Sequence, residues 1–460
     1  MRSNPSPILG QDEIVCKRTN CLFSAALLFS IEMRERFSAI NYIKITVLGF
    51  ALTALWSSLH SIILPLRLLD LVAASEKNTC LGLLTFTGLI LAMIVQPIAG
   101  AFSDHSGFRW GRRRPYIVSG TLFDVIFLLA MAFSGNYIML LIAYLLLQTS
   151  SNIAHGPYQG YIPELVPEEK RGAVTGMKQF LEIAGIIVTS FVIGYLTGEG
   201  QILMAFLTII FFLLFCMAVT AVFVTEQPFD GAPVFERKPS RAAPSSDALR
   251  DSLAALFHSR DFFLWLSSRL VILVASNLVR NYALYFFRDV LGLPNPASAV
   301  GSLLAVIAIA IVVVVYPSGA LSDRWGRKWL IVASGVLGTV GALLLVTAST
   351  LIQVLIYGSL IGISAGIFLS VDWAWGADLI PAESSGRYLG ISNIATAGSG
   401  VLAGMGGFML DYFNAQSPNL GYTALYLSAA ICYVLGTLLV FGVRDTGRGR
   451  LKEESEERKR

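Results

Sequence analysis

Two short stretches of this chain repeat each other and decide its fold. The first runs from Gly100 to Asp104 (Gly-Ala-Phe-Ser-Asp) and, after four further residues, resumes from Arg109 to Arg114 (Arg-Trp-Gly-Arg-Arg-Arg). The second runs without interruption from Gly319 to Lys328 (Gly-Ala-Leu-Ser-Asp-Arg-Trp-Gly-Arg-Lys). Each copy lies in a basic break between two long apolar runs. The duplication predicts a chain built from two related halves.

The composition places both halves in a membrane. Hydrophobic residues make up 55% of the 460 residues, charged residues only 14%, and the mean hydropathy is +0.67. A soluble protein of this length needs more polar surface. The apolar residues come in runs of about twenty, the length that crosses a bilayer core, and lipid forces such runs into helices. We therefore predict an all-α, multi-pass membrane protein.

Twelve such runs are expected, six on either side of a polar linker. They cover residues 43–66, 80–102, 116–133, 137–158, 173–196, 202–224, 262–284, 297–319, 329–348, 351–377, 388–410 and 422–443. The linker, 225–261, contains four prolines together with serine and charged residues. The predicted domains are an N-terminal leader (1–42), a first bundle (43–224), the linker, a second bundle (262–443) and a tail (444–460).

Basic residues indicate the orientation. Lysine and arginine concentrate in the loops on one side, so the positive-inside rule predicts that this side, the linker and both termini are cytoplasmic, in the plasma or inner membrane. The leader holds a short apolar run, 22–31, which is too brief to span. Translation could start at Met1 or at Met33, and the sequence leaves this open.

A second repeat supports the first. Pro163-Glu-Leu-Val-Pro, followed by Arg171-Gly, corresponds to Asp378-Leu-Ile-Pro, followed by Gly386-Arg, at an offset of about 215 residues. Two parallel halves related about the membrane normal are a recurrent plan of secondary transporters. The usual activity of this plan is the movement of solutes.

These residues resemble the major facilitator superfamily. Its signature, Gly-x-Leu-[Ala/Ser]-Asp-[Arg/Lys]-x-Gly-Arg-[Arg/Lys], is similar to the second copy without a gap and to the first with the four-residue insertion. The lengthened copy and the fourth-run motif Asn152-Ile-Ala-His-Gly-Pro157 resemble the sucrose–proton symporter branch. The resemblance implies two pseudo-symmetric six-helix bundles and a central cavity lined by the first, fourth, seventh and tenth helices.

The resemblance also implies a conformational latch in the duplicated loops. The glycines would let helices approach closely, and the aspartates at helix ends would pair with arginines and accept backbone hydrogen bonds. A purely topological role for the arginines is the plainer alternative. The latch residues carried over are Gly100, Asp104, Gly111, Arg112, Arg113, Gly319, Asp323, Arg324, Gly326 and Arg327.

Ionisable side chains inside the runs are few and predict an aqueous cavity. Each costs roughly 2.5–3.5 kcal/mol if left in lipid, so they should be paired or face water. They coincide with polar faces at helical spacing on the first, fourth, seventh and tenth runs. The candidate substrate and coupling residues are Trp56, His60, Gln148, Asn152, His155, Lys178, Glu182, Arg269, Asn277, Arg280, Asp372, Trp373 and Trp375.

Several candidates have a plainer interpretation. Lys178 and Glu182, four residues apart, could form only a self-neutralising pair. Asp124, on the third run, is expected to make a helix–helix contact. Arg280 could snorkel to the outer surface, and the histidines could serve only in packing or hydrogen bonding.

Asp372 is the strongest candidate, because it is acidic, lies within a run and has tryptophans beside it. Aromatic planes beside polar groups suit a sugar, and they also suit drug-like amphiphiles. One position departs from the symporter pattern: Gln148 stands where the plant-type symporters have a protonatable aspartate. Coupling through that position is then excluded, and Asp372 or Glu182 must supply it.

We therefore expect a secondary transporter that moves a small organic solute, a sugar or glycoside, by alternating access, coupled to a proton or another cation. The alternatives are an exporter of amphiphilic metabolites or drugs and a non-transporting membrane sensor. The chain lacks a Gly-x-x-x-x-Gly-Lys-[Ser/Thr] loop, and its four histidines and five cysteines show no metal-ligand or disulfide spacing. No enzyme activity, cofactor, metal or nucleic-acid partner is expected, and we expect a monomer in the bilayer.

Overall fold

The computed structural model describes residues 39–104, 106–108, 110–226, 260–379 and 385–443, and all regular structure in these ranges is helical. In the first half the helices are α1 (Ala39–Ser58), a π-helical segment (Leu59–Ile63), α2 (Leu64–Leu71), α3 (Lys77–Asp104), α4 (Arg114–Ala132), α5 (Tyr137–Gln159), α6 (Tyr161–Leu165), α7 (Arg171–Gly198) and α8 (Ile202–Phe223). In the second half they are α9 (Arg260–Asn281), α10 (Ala283–Asp289), α11 (Pro296–Trp325), α12 (Arg327–Val346), α13 (Leu351–Asp378), α14 (Ser385–Gly404), α15 (Gly406–Gln416) and α16 (Leu420–Phe441).

Eleven helical segments in the described ranges are long and apolar enough to cross a membrane, whereas the sequence predicts twelve. The remaining run is helical but is divided at Met405 into α14 and α15. The helix α14 also carries five glycines and Arg387 among its twenty residues, which lowers its hydropathy. Low hydropathy fits a helix that packs between other helices instead of facing lipid.

The two halves have the same internal packing. In the first, α1 packs against α7 and α8, α5 against α3 and α4, and α4 against α8. In the second, α9 packs against α14 and α16, α13 against α11 and α12, and α12 against α16. Each of these pairs in the first half has a counterpart in the second half, formed by the spanning helices at the same positions in the chain order. The sequence repeat is therefore also a repeat of helix packing.

Two corresponding helix crossings join the halves. The helix α3 crosses α14, where a Cβ on Gly82 would lie 2.1 Å from the carbonyl oxygen of Gly404. The helix α11 crosses α7, where a Cβ on Gly301 would lie 2.2 Å from the carbonyl oxygen of Ser190. Both positions require glycine, because any side chain would push the backbones apart.

Polar contacts at the start of α3 also join the halves, at the helix ends far from the duplicated loops. These ends are here called the opposite end, and the loop side is called the basic end. Lys77, at the start of α3, forms an ion pair with Asp289 at the end of α10. Asp411, on α15, accepts hydrogen bonds from the side chain of Asn78 at 2.7 Å and from the backbone N–H of Thr79 at 2.6 Å. One half therefore caps a helix N-terminus of the other, and the two halves are joined at the opposite end.

Candidate functional site

In the first half, a chain of hydrogen bonds between uncharged side chains joins the π-helical segment to α5. His60 lies in the π-helical segment, and its Nε2 lies 2.9 Å from the hydroxyl of Tyr144 on α5. Gln148 donates from Nε2 to the same hydroxyl at 2.8 Å. Asn152 donates to the backbone carbonyl of Gln148 at 2.7 Å. The ring of Trp56 lies 5.3 Å from that of His60. Short π-helical segments often occur at functional sites, and this one presents the histidine.

The second half has a buried ion pair at its centre. Arg269 on α9 and Asp372 on α13, 3% and 1% exposed, are joined through Nη1 and Oδ2. Arg269 also donates from Nη2 to the hydroxyl of Thr396 on α14 at 3.0 Å. Its guanidinium lies 4.6 Å from the ring of Trp373 and 5.9 Å from that of Trp265, distances typical of cation–π contacts.

Hydrogen-bonding capacity remains unused around this pair. Among the described residues, Arg269 Nε and the indole nitrogens of Trp265 and Trp375 are buried and have no hydrogen-bond acceptor. Trp373, by contrast, is 37% exposed. These donors are unsatisfied and buried in this conformation, while Trp373 offers a partly exposed aromatic face beside Arg269.

Nearer the opposite end, Arg280 and Asn277 extend the site on α9. Arg280 donates from Nη2 to Asn277 Oδ1 at 3.0 Å, and Asn277 donates to the hydroxyl of Ser399 on α14 at 3.1 Å. The positive charge of Arg280 also lies within electrostatic range of His60, in the other half. The two polar faces therefore approach each other at this level.

Nearer the basic end, the first half carries the predicted pair on α7. Lys178 and Glu182 are 3.1 Å apart, and each side chain is 20% exposed. Lys178 lies within electrostatic range of His155, whose Nε2 is 3.3 Å from Gln159 Nε2. The self-neutralising pair therefore forms, at the edge of the polar face of α5.

Asp124 lies apart from this site. Its carboxyl is buried between α4 and α5, where Ser150 donates a hydrogen bond to it. This placement agrees with the expectation of a helix–helix contact.

Three residues of the site were missed by sequence reasoning. Tyr144 joins His60 to Gln148, Trp265 covers Arg269, and Thr396 accepts from it. Helical spacing could have indicated the first two, because Tyr144 precedes Gln148 by four residues and Trp265 precedes Arg269 by four. No local signal indicates Thr396, because it lies 127 residues from its partner.

The first duplicated loop is organised around Arg113. Its guanidinium donates to Asp104 at 2.7 Å, to Glu164 at 2.6 Å and to the carbonyl of Pro157 at 3.1 Å. Arg112 also pairs with Glu164, at 2.7 Å. The predicted pairing of Asp104 with an arginine is therefore present.

Backbone groups of this loop are capped by a residue that the sequence did not single out. Glu226 accepts from the backbone N–H groups of Arg113 and Arg114, each at 2.8 Å, and from the hydroxyl of Tyr161 at 2.7 Å. The backbone N–H groups of Arg113 and Arg114 thus bond to Glu226, and a backbone hydrogen bond to Asp104 stays a prediction. Gly111 has a φ of 116° and lies against Glu226, which explains the requirement for glycine.

In the second duplicated loop, the described contacts of the basic side chains are with backbone carbonyls. Gly326, like Gly111, has a positive φ, here 92°, and Arg327 donates to the carbonyl of Ala374 on α13. Lys328 donates to the carbonyls of Phe441 at 2.9 Å and Val443 at 2.8 Å. Arg324 is exposed, and the side chain of Asp323 lies outside the described residues.

The glycine at the start of each copy also differs. A Cβ on Gly100 would lie 4.0 Å from Gly156 on α5, whereas a Cβ on Gly319 would meet no described atom within 4 Å. A Cβ on Gly156 would lie 3.0 Å from the backbone nitrogen of Gly100, so the helices approach closely there, whereas the close approach at Gly319 stays a prediction.

The site has the chemistry of solute recognition. Amide, imidazole, hydroxyl and guanidinium groups supply directional hydrogen bonds, and tryptophan rings supply apolar faces. No group of three metal-ligating side chains occurs in the described ranges.

Comparison with known proteins gives the family. The model of the Major Facilitator Superfamily matches residues 37–404 and 295–460. A lactose permease of Lactobacillus helveticus is 27% identical over 290 residues, 56% of this chain and 43% of the permease. The chain thus spans less than half the length of that relative. The multi-drug resistance efflux pump PmrA of Streptococcus pneumoniae is 24% identical over 86% of this chain and 94% of its own.

The matches also include plant proteins and solved structures. The sucrose transport protein SUT1 of Oryza sativa subsp. japonica is 23% identical over 198 residues, 34% of this chain and 36% of its own. A D-xylose-proton symporter has the same fold with a TM-score of 0.68 at 17% identity, over 90% of this chain and 99% of its own. The family model, the fold and the duplicated loops agree, and this chain belongs to the Major Facilitator Superfamily.

Proposed function

We propose that this protein is a secondary transporter that moves a sugar or glycoside by alternating access and couples the movement to protons. The observation that carries the proposal is the buried Arg269–Asp372 pair, which lies against the rings of Trp265 and Trp373 in the second half. The first half contributes the hydrogen-bonded chain His60–Tyr144–Gln148, and Arg280 brings the two halves within electrostatic range at His60. Solute recognition then belongs to both halves, and coupling belongs to the second.

Asp372 is the proposed coupling group. A proton taken up by its carboxylate makes a neutral acid and releases the guanidinium of Arg269, which can then bind another acceptor. Loss of the proton restores the ion pair. A proton moving down a potential of 100 mV contributes about 2.3 kcal/mol, which supports a solute gradient of roughly fifty-fold.

Aromatic rings beside donors support a sugar as the solute class. Trp373 is partly exposed beside Arg269, and Trp56 lies beside His60. The C–H faces of a pyranose stack on such rings, while its hydroxyls bond to amides and imidazole. The similarity to lactose and sucrose transporters is consistent with this class.

Uptake into proteoliposomes tests the proposal. Labelled sucrose, maltose and lactose are offered with and without an inward proton gradient, and accumulation above the external concentration is measured. We expect gradient-driven accumulation by the wild type. Asp372→Asn should still equilibrate the solute but should not concentrate it. Full accumulation by Asp372→Asn would remove this residue from coupling, and gradient-independent uptake would remove proton coupling.

Glu182→Gln is the matched control. It also neutralises an acid inside a spanning helix, but Glu182 is engaged only in an i,i+4 pair at the edge of the site. We expect it to accumulate solute as the wild type does. Loss of accumulation in this variant alone would transfer the coupling role to Glu182.

An exporter of amphiphilic compounds is the second candidate, because the similarity to PmrA extends over 86% of this chain. Efflux of a fluorescent amphiphilic dye from preloaded, energised vesicles measures this activity. Dye efflux without sugar uptake would favour the exporter.

We also propose that the basic end and both termini face the cytoplasm, in the cell membrane. Gly107, in the first duplicated loop, and Ser75, in the loop before α3, are exposed and lie at the two ends of α3. Single cysteines are placed there in a cysteine-free background and treated with an impermeant thiol reagent in intact cells. We expect labelling at position 75 and protection at position 107; the opposite result would show the reverse orientation.

A further inference from the structure

Among the six ionisable side chains Asp124, Lys178, Glu182, Arg269, Arg280 and Asp372, pairing within the described residues leaves Arg280 as the cation without an acidic partner. Lys178 pairs with Glu182, and Arg269 pairs with Asp372. Within the described ranges, Arg280 has no carboxylate within 4.0 Å; its described contact is the neutral amide of Asn277. The remaining acid, Asp124, lies between α4 and α5 in the other half and bonds to Ser150.

The Arg280 guanidinium faces the space between the two halves. The helix α9 packs against α14 and α16, and its only exposed residues are Arg260, Phe263 and Arg280. Across from Arg280 lies the π-helical segment of the first half, which contacts α9 and brings His60 into electrostatic range. The exposed guanidinium therefore lies where a solute would lie between the halves.

An uncompensated guanidinium at this depth needs either water or an anion as its partner. A charged side chain within a membrane is costly unless it is paired or hydrated. The side chain of arginine has five N–H donors in a fork that matches a carboxylate, and the hydrogen bond to Asn277 uses one of them. The remaining donors have no described acidic acceptor in the protein, so the solute can provide it.

We propose that the transported solute carries a carboxylate that binds Arg280: an acidic sugar, or a glycoside of one. The rest of the solute then lies toward Trp56, His60 and Tyr144, where a ring can stack and hydroxyls can bond. This inference rests on the proposed function, and it narrows the solute class from sugars and glycosides in general to those that carry a carboxylate.

Binding to the purified full-length protein in detergent tests the inference with matched probes. D-glucuronate is compared with D-glucuronamide, and phenyl β-D-glucuronide with phenyl β-D-glucoside, by ligand-dependent thermal stabilisation and calorimetry. We expect each acid to bind about 10- to 100-fold more tightly than its neutral counterpart, because one charge-assisted bidentate contact distinguishes them. Equal binding of acid and neutral probe would overturn the inference and leave sugar transport intact.

Three variants locate the contact. Arg280→Gln should abolish the preference for the acid, and Arg280→Lys should retain part of it, because the charge remains while the fork is lost. Arg288→Gln is the matched control, since Arg288 is an exposed arginine on α10; it should keep the preference. An Arg280→Gln protein that still prefers the acid by the wild-type factor would overturn the assignment.

Two further results separate the possible outcomes. Sodium acetate should not compete with D-glucuronate at equal concentration; equal competition would indicate a site for small carboxylates and would overturn the acidic-sugar class. Failure of both acids to bind would also overturn the inference. Proton-driven uptake of neutral sugars would then decide the proposed function separately.

Discussion

The two halves of the central site use corresponding helices but contain different chemistry. In the first half, α1 and α5 join through the uncharged groups of His60, Tyr144 and Gln148. In the second half, α9 and α13 join through the buried charges of Arg269 and Asp372. The repeat therefore fixes which helices face the centre, and it leaves their polar side chains free to differ. Under the proposed function, the uncharged side chains of the first half bind hydroxyl groups of the solute, and the charged side chains of the second half take part in coupling.

The duplicated loops differ in the same way. In the first, Arg113 contacts Asp104, Glu164 and Pro157 together. In the second, the corresponding Lys328 bonds to two backbone carbonyls near the end of α16. Within the described residues, the carboxylate partners of Arg113 have no counterpart at Lys328.

The largest expected effect comes from breaking the buried ion pair. Asp372→Ala should lower the free energy of unfolding by about 3–5 kcal/mol, because it leaves the Arg269 guanidinium buried and uncompensated. Thermal and denaturant unfolding in detergent measure this loss. Gln148→Ala, in the uncharged chain of the other half, should cost clearly less. An Asp372→Ala protein as stable as Gln148→Ala would contradict the difference in chemistry between the halves.

The loops provide the second comparison. Arg113→Ala should destabilise the protein by about 2–3 kcal/mol, since it removes charge-assisted hydrogen bonds to two carboxylates. Lys328→Ala should cost about 1 kcal/mol, because it removes bonds to carbonyls of a partly exposed loop. Thermal and denaturant unfolding of both variants measure the two losses of unfolding free energy. Equal losses would mean that the two loops are equivalent despite their different contacts.

A smaller effect is expected from one hydroxyl in the uncharged chain. Tyr144→Phe separates His60 from Gln148 and should cost about 1 kcal/mol of stability. It should also weaken solute binding, because His60 loses the partner that orients its ring. Tyr433→Phe is the matched control, since its hydroxyl lies 2.8 Å from that of Ser276 on α9 of the other half. Tyr433→Phe should lose similar stability and keep its affinity for the solute. A loss of affinity in Tyr433→Phe but not in Tyr144→Phe would place the recognition of solute hydroxyls in the second half.

The smallest effect is expected at the pair on α7. Lys178 and Glu182 are partly exposed and four residues apart, so Glu182→Gln should change stability by at most about 0.5 kcal/mol. A loss above about 2 kcal/mol in unfolding experiments would show that this pair resembles Arg269–Asp372 and would weaken the contrast between the halves.

Sequence reasoning succeeded where the spacing along one helix decides the result. The polar face of α5 and the Lys178–Glu182 contact follow from the 3.6-residue period alone. It was less reliable where a contact depends on another helix. Gly100 and Gly319 occupy the same place in the repeat, yet only Gly100 meets a neighbouring helix within the described residues. Glu226 follows α8 and was assigned to the linker, but it caps the first duplicated loop across 113 residues.

The sequence by itself determined the membrane location of the helices, the two-fold repeat and the helices that carry polar residues, because hydropathy and period are local properties. Only the tertiary structure decided that Arg269 meets Asp372 across 103 residues and that Arg280 is left without a carboxylate in the described ranges. The physical reason is that charge pairing depends on how each helix is rotated and displaced against its neighbours. Packing of the whole bundle sets that geometry, and no short stretch of sequence specifies it.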